Sequence, residues 1–189
     1  MVTIIGCGVS GLTTGITLLD AGWTEVKIIA AQFPPHTTSN KAAAIWFPYK
    51  ANPQNLVLKW SQESYIVFEE LAKEPSTGIH FVDWCELKQL PPNEVPWWLD
   101  ALLPNKYRKN TIAELPKGYK ERYTANVPMI ETPMYVGLRP YRSTIRLERE
   151  ENQPIVHNYG HGGAGFTVSW GCANEVLQLV SGTILNGEF

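Results

Sequence analysis

The chain has 189 residues, of which 44% are apolar and 18% are charged, and its formal net charge is -2. This length and apolar content predict one compact domain, or one domain with a small appendage. The lack of a basic surplus argues against a nucleic-acid partner, and no apolar run is long enough to span a membrane.

The first thirty residues predict a strand, a glycine turn, a helix and a second strand. Val2 to Ile5 is a short, β-branched apolar run that ends at Gly6. Apolar residues recur at helical spacing over 9–21, and a second apolar run covers 26–30. Strand, helix and strand in this order form a βαβ unit, so we expect the two strands to be parallel.

The rest of the chain alternates predicted loops, strands and helices. In order, we predict a loop over 33–40, a helix over 54–71, a strand over 79–90, a short helix over 97–99, a polar loop over 106–120 and strands over 123–131, 143–148 and 155–157. A glycine-rich loop over 160–165 and a helix over 168–185 follow. The many aromatic residues are expected to form the core or to line a cleft.

The first chemical motif is Gly6-Cys7-Gly8-Val9-Ser10-Gly11, a G-x-G-x-x-G sequence between a predicted strand and a predicted helix. Its glycines allow a tight turn, close approach of a pyrophosphate and close packing of the helix on the strand. The phosphates would lie at the helix N-terminus, where free N–H groups favour anions. An acidic residue is expected about 20 residues on to hold a ribose, but the second strand ends in Ala30-Ala31-Gln32.

The second motif is the glycine-rich stretch from His157 to Thr167, before the last helix. A close backbone approach and a positive helix end suit an electron-rich ring edge, and a plain strand-to-helix turn is the alternative. Its two histidines lie four residues apart without a third ligand, which argues against a metal site.

A third feature is Arg139, which lies between rigid neighbours in Gly137-Leu138-Arg139-Pro140. A guanidinium held in this way can bind a carboxylate through two hydrogen bonds, whereas an ordinary surface arginine is the alternative. The three cysteines are far apart and are interpreted as reduced thiols of an intracellular protein.

Together these motifs resemble the D-amino-acid oxidase family. The resemblance rests on the turn at residues 2–11, the stretch at 33–49, the segment around Val127-Pro128-Met129-Ile130-Glu131-Thr132-Pro133, and Gly137-Leu138-Arg139-Pro140 with His157 to Thr167. It implies an α/β fold: an FAD-binding Rossmann-like domain of the glutathione-reductase type, formed discontinuously by 1–75 and 136–189. Residues 76–135 would be the remnant of an antiparallel β substrate domain.

The resemblance also implies a cofactor, a reaction and a set of site residues. The cofactor would be FAD, and the reaction would convert a D-amino acid and oxygen to a 2-oxo acid, ammonia and hydrogen peroxide. Arg139 would hold the substrate carboxylate. The cofactor would contact Gly6, Gly8, Val9, Ser10, Gly11, Thr37, Thr38, Ala43, Ala44, Gly162, Gly163, Ala164, Gly165, Phe166 and Thr167.

One departure from the family dominates. The long segment expected between Tyr135 and Gly137 is missing, and only Val136 lies there. Because that segment carries most of the substrate domain and one strand of the FAD-domain sheet, we expect unpaired strand edges, an open flavin site and impaired activity. Exposed apolar patches would favour a homodimer or larger association.

Several alternatives stay open at this point. The chain could be a catalytically inactive flavin-binding fragment, a glycine-oxidase-like amine oxidase or an NAD-binding protein, the last disfavoured because it leaves the second glycine loop without a role. The N-terminus does not have the pattern of a signal peptide, and the C-terminus lacks a peroxisomal tripeptide, so we expect a cytoplasmic location.

Overall fold

The computed structural model describes residues 1–42, 44–89, 95–132 and 141–185. In chain order the helices and strands of these residues are β1 (Val2–Ile5), α1 (Val9–Asp20), β2 (Val26–Ile29), β3 (Ala44–Ile45), α2 (Gln54–Leu71), β4 (Ile79–Lys88), α3 (Trp97–Leu102), β5 (Tyr107–Lys109), β6 (Glu121–Ile130), β7 (Tyr141–Arg149), β8 (Val156–His161) and α4 (Ser169–Leu185).

The N-terminal βαβ unit is confirmed. β1 and β2 are parallel and pair in register from Val2↔Val26 to Ile5↔Ile29. The intervening helix α1 covers one face of this pair. A methyl group on Gly15 would lie 3.5 Å from the side chains of both Ile4 and Ile28, so helix and strands are in ordinary van der Waals contact.

A second, antiparallel sheet is built around β6. It pairs along its whole length with β4, while β3 and β5 pair with β6 on separate stretches. The helices α2 and α3 supply apolar side chains to the core beside this sheet. Trp98 packs edge-on against Trp84 with ring centroids 4.9 Å apart, and against Trp46 at 5.9 Å. The aromatic core predicted from composition is therefore present.

The C-terminal part consists of the antiparallel β7–β8 hairpin and helix α4. Helix α4 packs against α1 and α2, so it joins the N-terminal unit to the rest of the molecule. The contact with α2 is close: the Ser64 hydroxyl accepts hydrogen bonds from the backbone N–H groups of Trp170 and Gly171, each at 3.1 Å. The two glycine-containing turns are brought together by this packing.

Strand pairing explains two differences between the sequence predictions and the structure, whereas other predicted bounds differ by up to three residues. The predicted polar loop over 106–120 contains β5, which is ordered by pairing with β6. The strand predicted over 155–157 extends to His161, because β8 pairs with β7 through Asn158 and Tyr159. The polar side chains of both segments do not predict a strand, but pairing with a neighbouring strand keeps the backbone extended.

All three cysteines are free thiols: Cys7 and Cys172 are buried and Cys85 is exposed. Among the described residues, no helix combines the length and the apolar character needed to cross a membrane.

Candidate functional site

The turn between β1 and α1 presents free backbone N–H groups. Gly8 precedes the helix without a side-chain cap, and no acidic residue lies in the first turn. Apart from the Val9 N–H, which donates to the Ser39 hydroxyl, the N-terminus of α1 keeps its unsatisfied donors and its partial positive charge, which together favour an anion such as a pyrophosphate.

The shape of this turn requires glycine at two positions. Gly6 has a φ of +113°, which L residues with a side chain rarely adopt. At Gly11 a Cβ would lie 2.1 Å from the Gly6 carbonyl oxygen, far inside van der Waals contact. The helix thus begins against the end of the strand, and the backbone of the turn is left open to a ligand.

A second glycine turn lies beside the first. Gly162–Ala164 forms a single 3₁₀ turn after β8, and Gly165 follows it before α4. A methyl group on Gly165 would be 3.8 Å from the Val9 side chain, so the two turns are neighbours. Segments separated by about 150 residues along the chain therefore form one site.

A third segment closes the side of the site. The Ser39 hydroxyl accepts a hydrogen bond of 2.7 Å from the Val9 backbone N–H, and the Thr37 hydroxyl donates to the Asn40 side chain at 2.7 Å. The first bond ties the loop after β2 to the N-terminus of α1. Ser39 was not among the predicted site residues, because a hydroxyl in a loop gives no sign of its partner until the chain folds.

These three segments line one cleft of about 1030 Å³. That volume lies at the upper end of the range for small-molecule sites, so it has room for a dinucleotide. The predicted cofactor residues along its wall are Gly6, Gly8, Val9, Ser10, Gly11, Thr37, Thr38, Ala44, Gly162, Gly163, Gly165 and Phe166. Ala31 and Gln32 also line it, and none of the described residues along its wall is acidic.

Two predicted cofactor residues do not face the cleft. Ala164 is fully buried in the core against α4. Thr167 is also buried, and its hydroxyl donates to the Phe47 carbonyl at 2.9 Å and accepts from the Phe47 N–H at 3.1 Å. These contacts fix the segment that contains Phe47 to the residues just before α4. The predictions for Ala43 and Arg139 lie outside the described residues.

The cleft wall includes Asn158 and His161, two polar residues of the second motif to which the sequence analysis assigned no individual contact. His161 Nε2 lies 2.9 Å from Asn158 Oδ1, and His161 Nδ1 lies 3.5 Å from the Ser10 hydroxyl. Burial lowers the pKa of His161 from 6.5 to about 4, so its ring is neutral at physiological pH. A neutral ring that donates through Nε2 accepts through Nδ1, which fits both contacts.

A buried donor on Asn158 supports a ligand in this cleft. The Asn158 Nδ2 atom is buried and has no hydrogen-bond partner in the described structure, although Asn158 lines the cleft. Buried polar groups without a partner are rare in native proteins and often mark a site that a ligand or water completes. Together with the N-terminus of α1 and the open space beside Gly6, this donor fits a large polar cofactor such as FAD.

Comparison with known proteins points in the same direction. The sequence model of a family described as FAD dependent oxidoreductase matches residues 1–101, which is more than half of the chain. The chain is also similar to a D-amino-acid oxidase of Rubrobacter xylanophilus, 24% identical over 315 aligned positions that cover 96% of each protein. A D-amino-acid oxidase of Dictyostelium discoideum is 26% identical, covering 94% of this chain and 90% of that protein.

Local similarity is higher in a shorter region. A D-amino acid oxidase of Dugesia ryukyuensis is 51% identical over 61 residues, which cover 28% of this chain and 18% of that protein. The long alignment with the Rubrobacter protein runs over 315 positions, whereas this chain has 189 residues, so a large block of that relative has no counterpart here.

Proposed function

The chain belongs to the FAD dependent oxidoreductase family, which includes D-amino-acid oxidases, and on that premise we propose that it oxidises D-amino acids. The observation that carries this proposal is the convergence of two glycine turns, Gly6–Gly11 and Gly162–Gly165, on one cleft. A single nucleotide would need only the first turn, whereas an extended flavin dinucleotide would use both.

The proposed cofactor contacts divide by chemistry. The N–H groups at the start of α1 would hold the pyrophosphate, and Thr38 and Gln32 would lie towards the adenosine end. The backbone of Gly162, Gly163 and Gly165 would approach the flavin ring. Ala164 and Thr167 would act through backbone position alone, because their side chains are buried in the core.

FAD, when bound, would supply the redox chemistry: the amino acid would be oxidised at its α-carbon, and oxygen would be reduced to hydrogen peroxide. The substrate becomes an imino acid, which water hydrolyses to a 2-oxo acid and ammonia. No nucleophilic side chain is required. The residues of the chain bind the two partners and hold them at reacting distance.

We assign substrate orientation to Arg139, from the resemblance of Gly137-Leu138-Arg139-Pro140 to the family motif. A guanidinium can hold a carboxylate through two parallel hydrogen bonds, which fixes the α-carbon against the flavin. Lysine keeps the charge but cannot form this paired contact.

The test measures the rate of hydrogen peroxide release from D-alanine at saturating FAD, with L-alanine as the stereochemical control. We expect turnover with D-alanine alone. Arg139→Ala is expected to lower kcat/KM by about 100-fold or more and Arg139→Lys by a smaller factor, since the bidentate contact supplies orientation. Arg108→Ala is the matched control, because Arg108 forms an exposed ion pair with Glu114 away from the cleft.

Two results would contradict the proposal in different ways. A chain that binds FAD but releases no peroxide from any D-amino acid would be the flavin-binding form without turnover. A chain that retains no FAD would lack the cofactor site itself. Equal rates for Arg139→Ala and the unaltered chain would remove Arg139 from its assigned role.

A further inference from the structure

The strand β1 has an unpaired edge. The Val2 N–H donates to the Glu25 carbonyl and the Gly6 N–H to the Ile29 carbonyl, both at 2.8 Å, so these groups point towards β2. Alternate residues of a strand direct their backbone groups to opposite edges. The N–H and C=O groups of Thr3 and Ile5 therefore point away from β2, where no strand of the described residues pairs with them.

The strand β8 has an unpaired edge as well. The Glu150 N–H donates to the Ile155 carbonyl at 2.9 Å, and the register continues through Glu148↔His157 and Arg146↔Tyr159. The backbone groups of Val156 and Asn158 consequently point away from β7. Within the described part of the chain, this edge also has no partner strand.

Both unpaired edges line the same cleft. β1 and β8 form its two sides, and Thr14 of α1 together with Val176 and Val180 of α4 also lines it. These residues come from the helices that pack beside the strands; Val176 and Val180 make their part of the wall apolar, whereas Thr14 is polar. The cleft thus has a glycine end, which suits a dinucleotide, and a strand end bounded by β1, β8, α1 and α4.

Nothing in the sequence of β1 protects its edge. Exposed edges in soluble proteins usually carry a charge, a proline or a bulge. Val2–Ile5 has none of these, and the Ile5 side chain is 88% exposed. An edge of this kind is suited to pairing with another strand.

We propose that the strand end of the cleft accepts one extended, apolar β-strand from a separate polypeptide, which pairs with β1 on one side and β8 on the other. The incoming segment must have both of its edges free, because it lies between two strands. A second copy of this chain cannot offer β1 for this purpose, since its β1 already pairs with β2. Residues facing Val176 and Val180 would be apolar, with β-branched residues favoured.

The comparison with relatives supports a missing polypeptide as the occupant. The alignment with the Rubrobacter protein spans 315 positions against 189 residues in this chain. A block of residues present in that relative is thus absent here, and a strand supplied by another chain would compensate for it. FAD alone could not pair with these edges, because it has no ladder of N–H and C=O groups.

The test is amide hydrogen exchange by NMR on the ¹⁵N-labelled chain at saturating FAD. The probe is a synthetic eight-residue peptide that alternates valine and threonine. We expect exchange at the amides of Thr3, Ile5, Val156 and Asn158 to slow about tenfold or more as the peptide saturates. The same peptide with N-methyl groups along one edge is the matched control and is expected to protect no more than one side of the cleft.

Two variants sharpen the test. Thr3→Pro removes an N–H that faces the cleft while leaving the β1–β2 bonds in place, so we expect peptide affinity to fall about tenfold or more. Val26→Pro removes an N–H from the far edge of β2 and is expected to leave peptide affinity unchanged. If either variant fails to fold, the exchange measurement on the unaltered chain still decides the question.

Three outcomes would overturn the proposal. The first is unchanged exchange at all four amides with saturating peptide. The second is full protection of those amides by FAD alone, which would mean that the cofactor fills the whole cleft. The third is protection without peptide that rises with protein concentration as sedimentation detects a dimer, because a second copy would then be the occupant.

Discussion

The first glycine turn can form only because position 11 has no Cβ atom. The missing side chain at Gly11 lets the helix start against the Gly6 carbonyl, where a Cβ would be only 2.1 Å away. Gly15, one turn later on α1, has ordinary clearance of 3.5 Å to its nearest neighbours, the side chains of Ile4 and Ile28. The two glycines therefore differ in what they contribute, although they lie in the same helix.

Gly11→Ala is expected to destabilise the chain by about 1–3 kcal/mol, because the added methyl group forces the helix away from the strand. The same movement displaces the N–H groups that would hold the pyrophosphate, so FAD affinity is expected to fall about tenfold or more. Fluorescence quenching on titration with FAD measures the affinity, and denaturant unfolding measures the stability.

Gly15→Ala is the matched control. Alanine is preferred over glycine inside a helix by up to about 1 kcal/mol, and the methyl group has room here. We expect equal or higher stability and unchanged FAD affinity. Equal FAD affinity for Gly11→Ala and the unaltered chain would show that the turn does not bind the pyrophosphate.

The partly buried histidine of the cleft wall, His161, links stability to pH. The folded-state pKa of His161 is lowered by burial to about 4, below its ordinary value of 6.5. Between these values the unfolded chain binds a proton at this ring and the folded chain does not. The free energy of unfolding is therefore expected to fall as the pH is lowered from about 6.5 to about 4, with this ring contributing a slope that approaches ~1.4 kcal/mol per pH unit.

The variant His161→Gln isolates this contribution. Glutamine can still hydrogen-bond with Asn158 but does not titrate, so the pH dependence in that window is expected to become shallower. Urea unfolding at several pH values measures it. Identical slopes for His161→Gln and the unaltered chain would refute the assignment.

At the scale of elements, the contact of α2 with α4 depends on a missing side chain. A Cβ on Gly171 would lie 2.3 Å from the Trp60 Cα and 2.4 Å from the Trp60 carbonyl oxygen. These are backbone atoms, so no side-chain rotation can relieve the clash. The two helices can approach this closely only with glycine at position 171.

Gly171→Ala is expected to lower the free energy of unfolding by about 3 kcal/mol or more, since whole helices must separate to admit the methyl group. Gly182→Ala, later in the same helix, is the control because nothing lies within 4 Å of the added carbon. It is expected to stabilise by up to about 1 kcal/mol. Chemical denaturation of both variants measures the difference, and similar values would contradict the packing argument.

The second glycine turn is also positioned by an element contact. The Thr167 hydroxyl forms hydrogen bonds with both backbone groups of Phe47. This pair of bonds holds the segment around Phe47 against the residues that precede α4. Losing the hydroxyl would leave two backbone groups without their partner. Thr167 therefore acts as a structural link beside the cleft rather than as a wall of it.

At the scale of the whole molecule, the described residues form three separate small sheets. Helices α1, α2 and α4 hold them together, while β1 and β8 leave free edges on a common cleft. The sequence-based expectation of unpaired strand edges is thus met at two identifiable strands. The proposed acceptor site and the proposed flavin site belong to this one cleft.

The sequence by itself determined the local elements and the first motif. Strand β1 and helix α2 have the bounds that their apolar patterns predict, and the turn at Gly6 to Gly11 is the one that its glycines require. These features depend on neighbours along the chain, so short-range patterns are sufficient. The family resemblance was likewise visible in short stretches, and it is confirmed over residues 1–101.

Only the tertiary structure decided which residues share the cleft and which do not. Ala164 and Thr167 turned inwards, while Asn158 and His161 joined the wall, and no local pattern distinguishes these outcomes. Strand β5 formed in a polar segment because β6 offered a partner. Burial and strand pairing depend on residues far apart in the chain, and the fold alone brings those residues into contact.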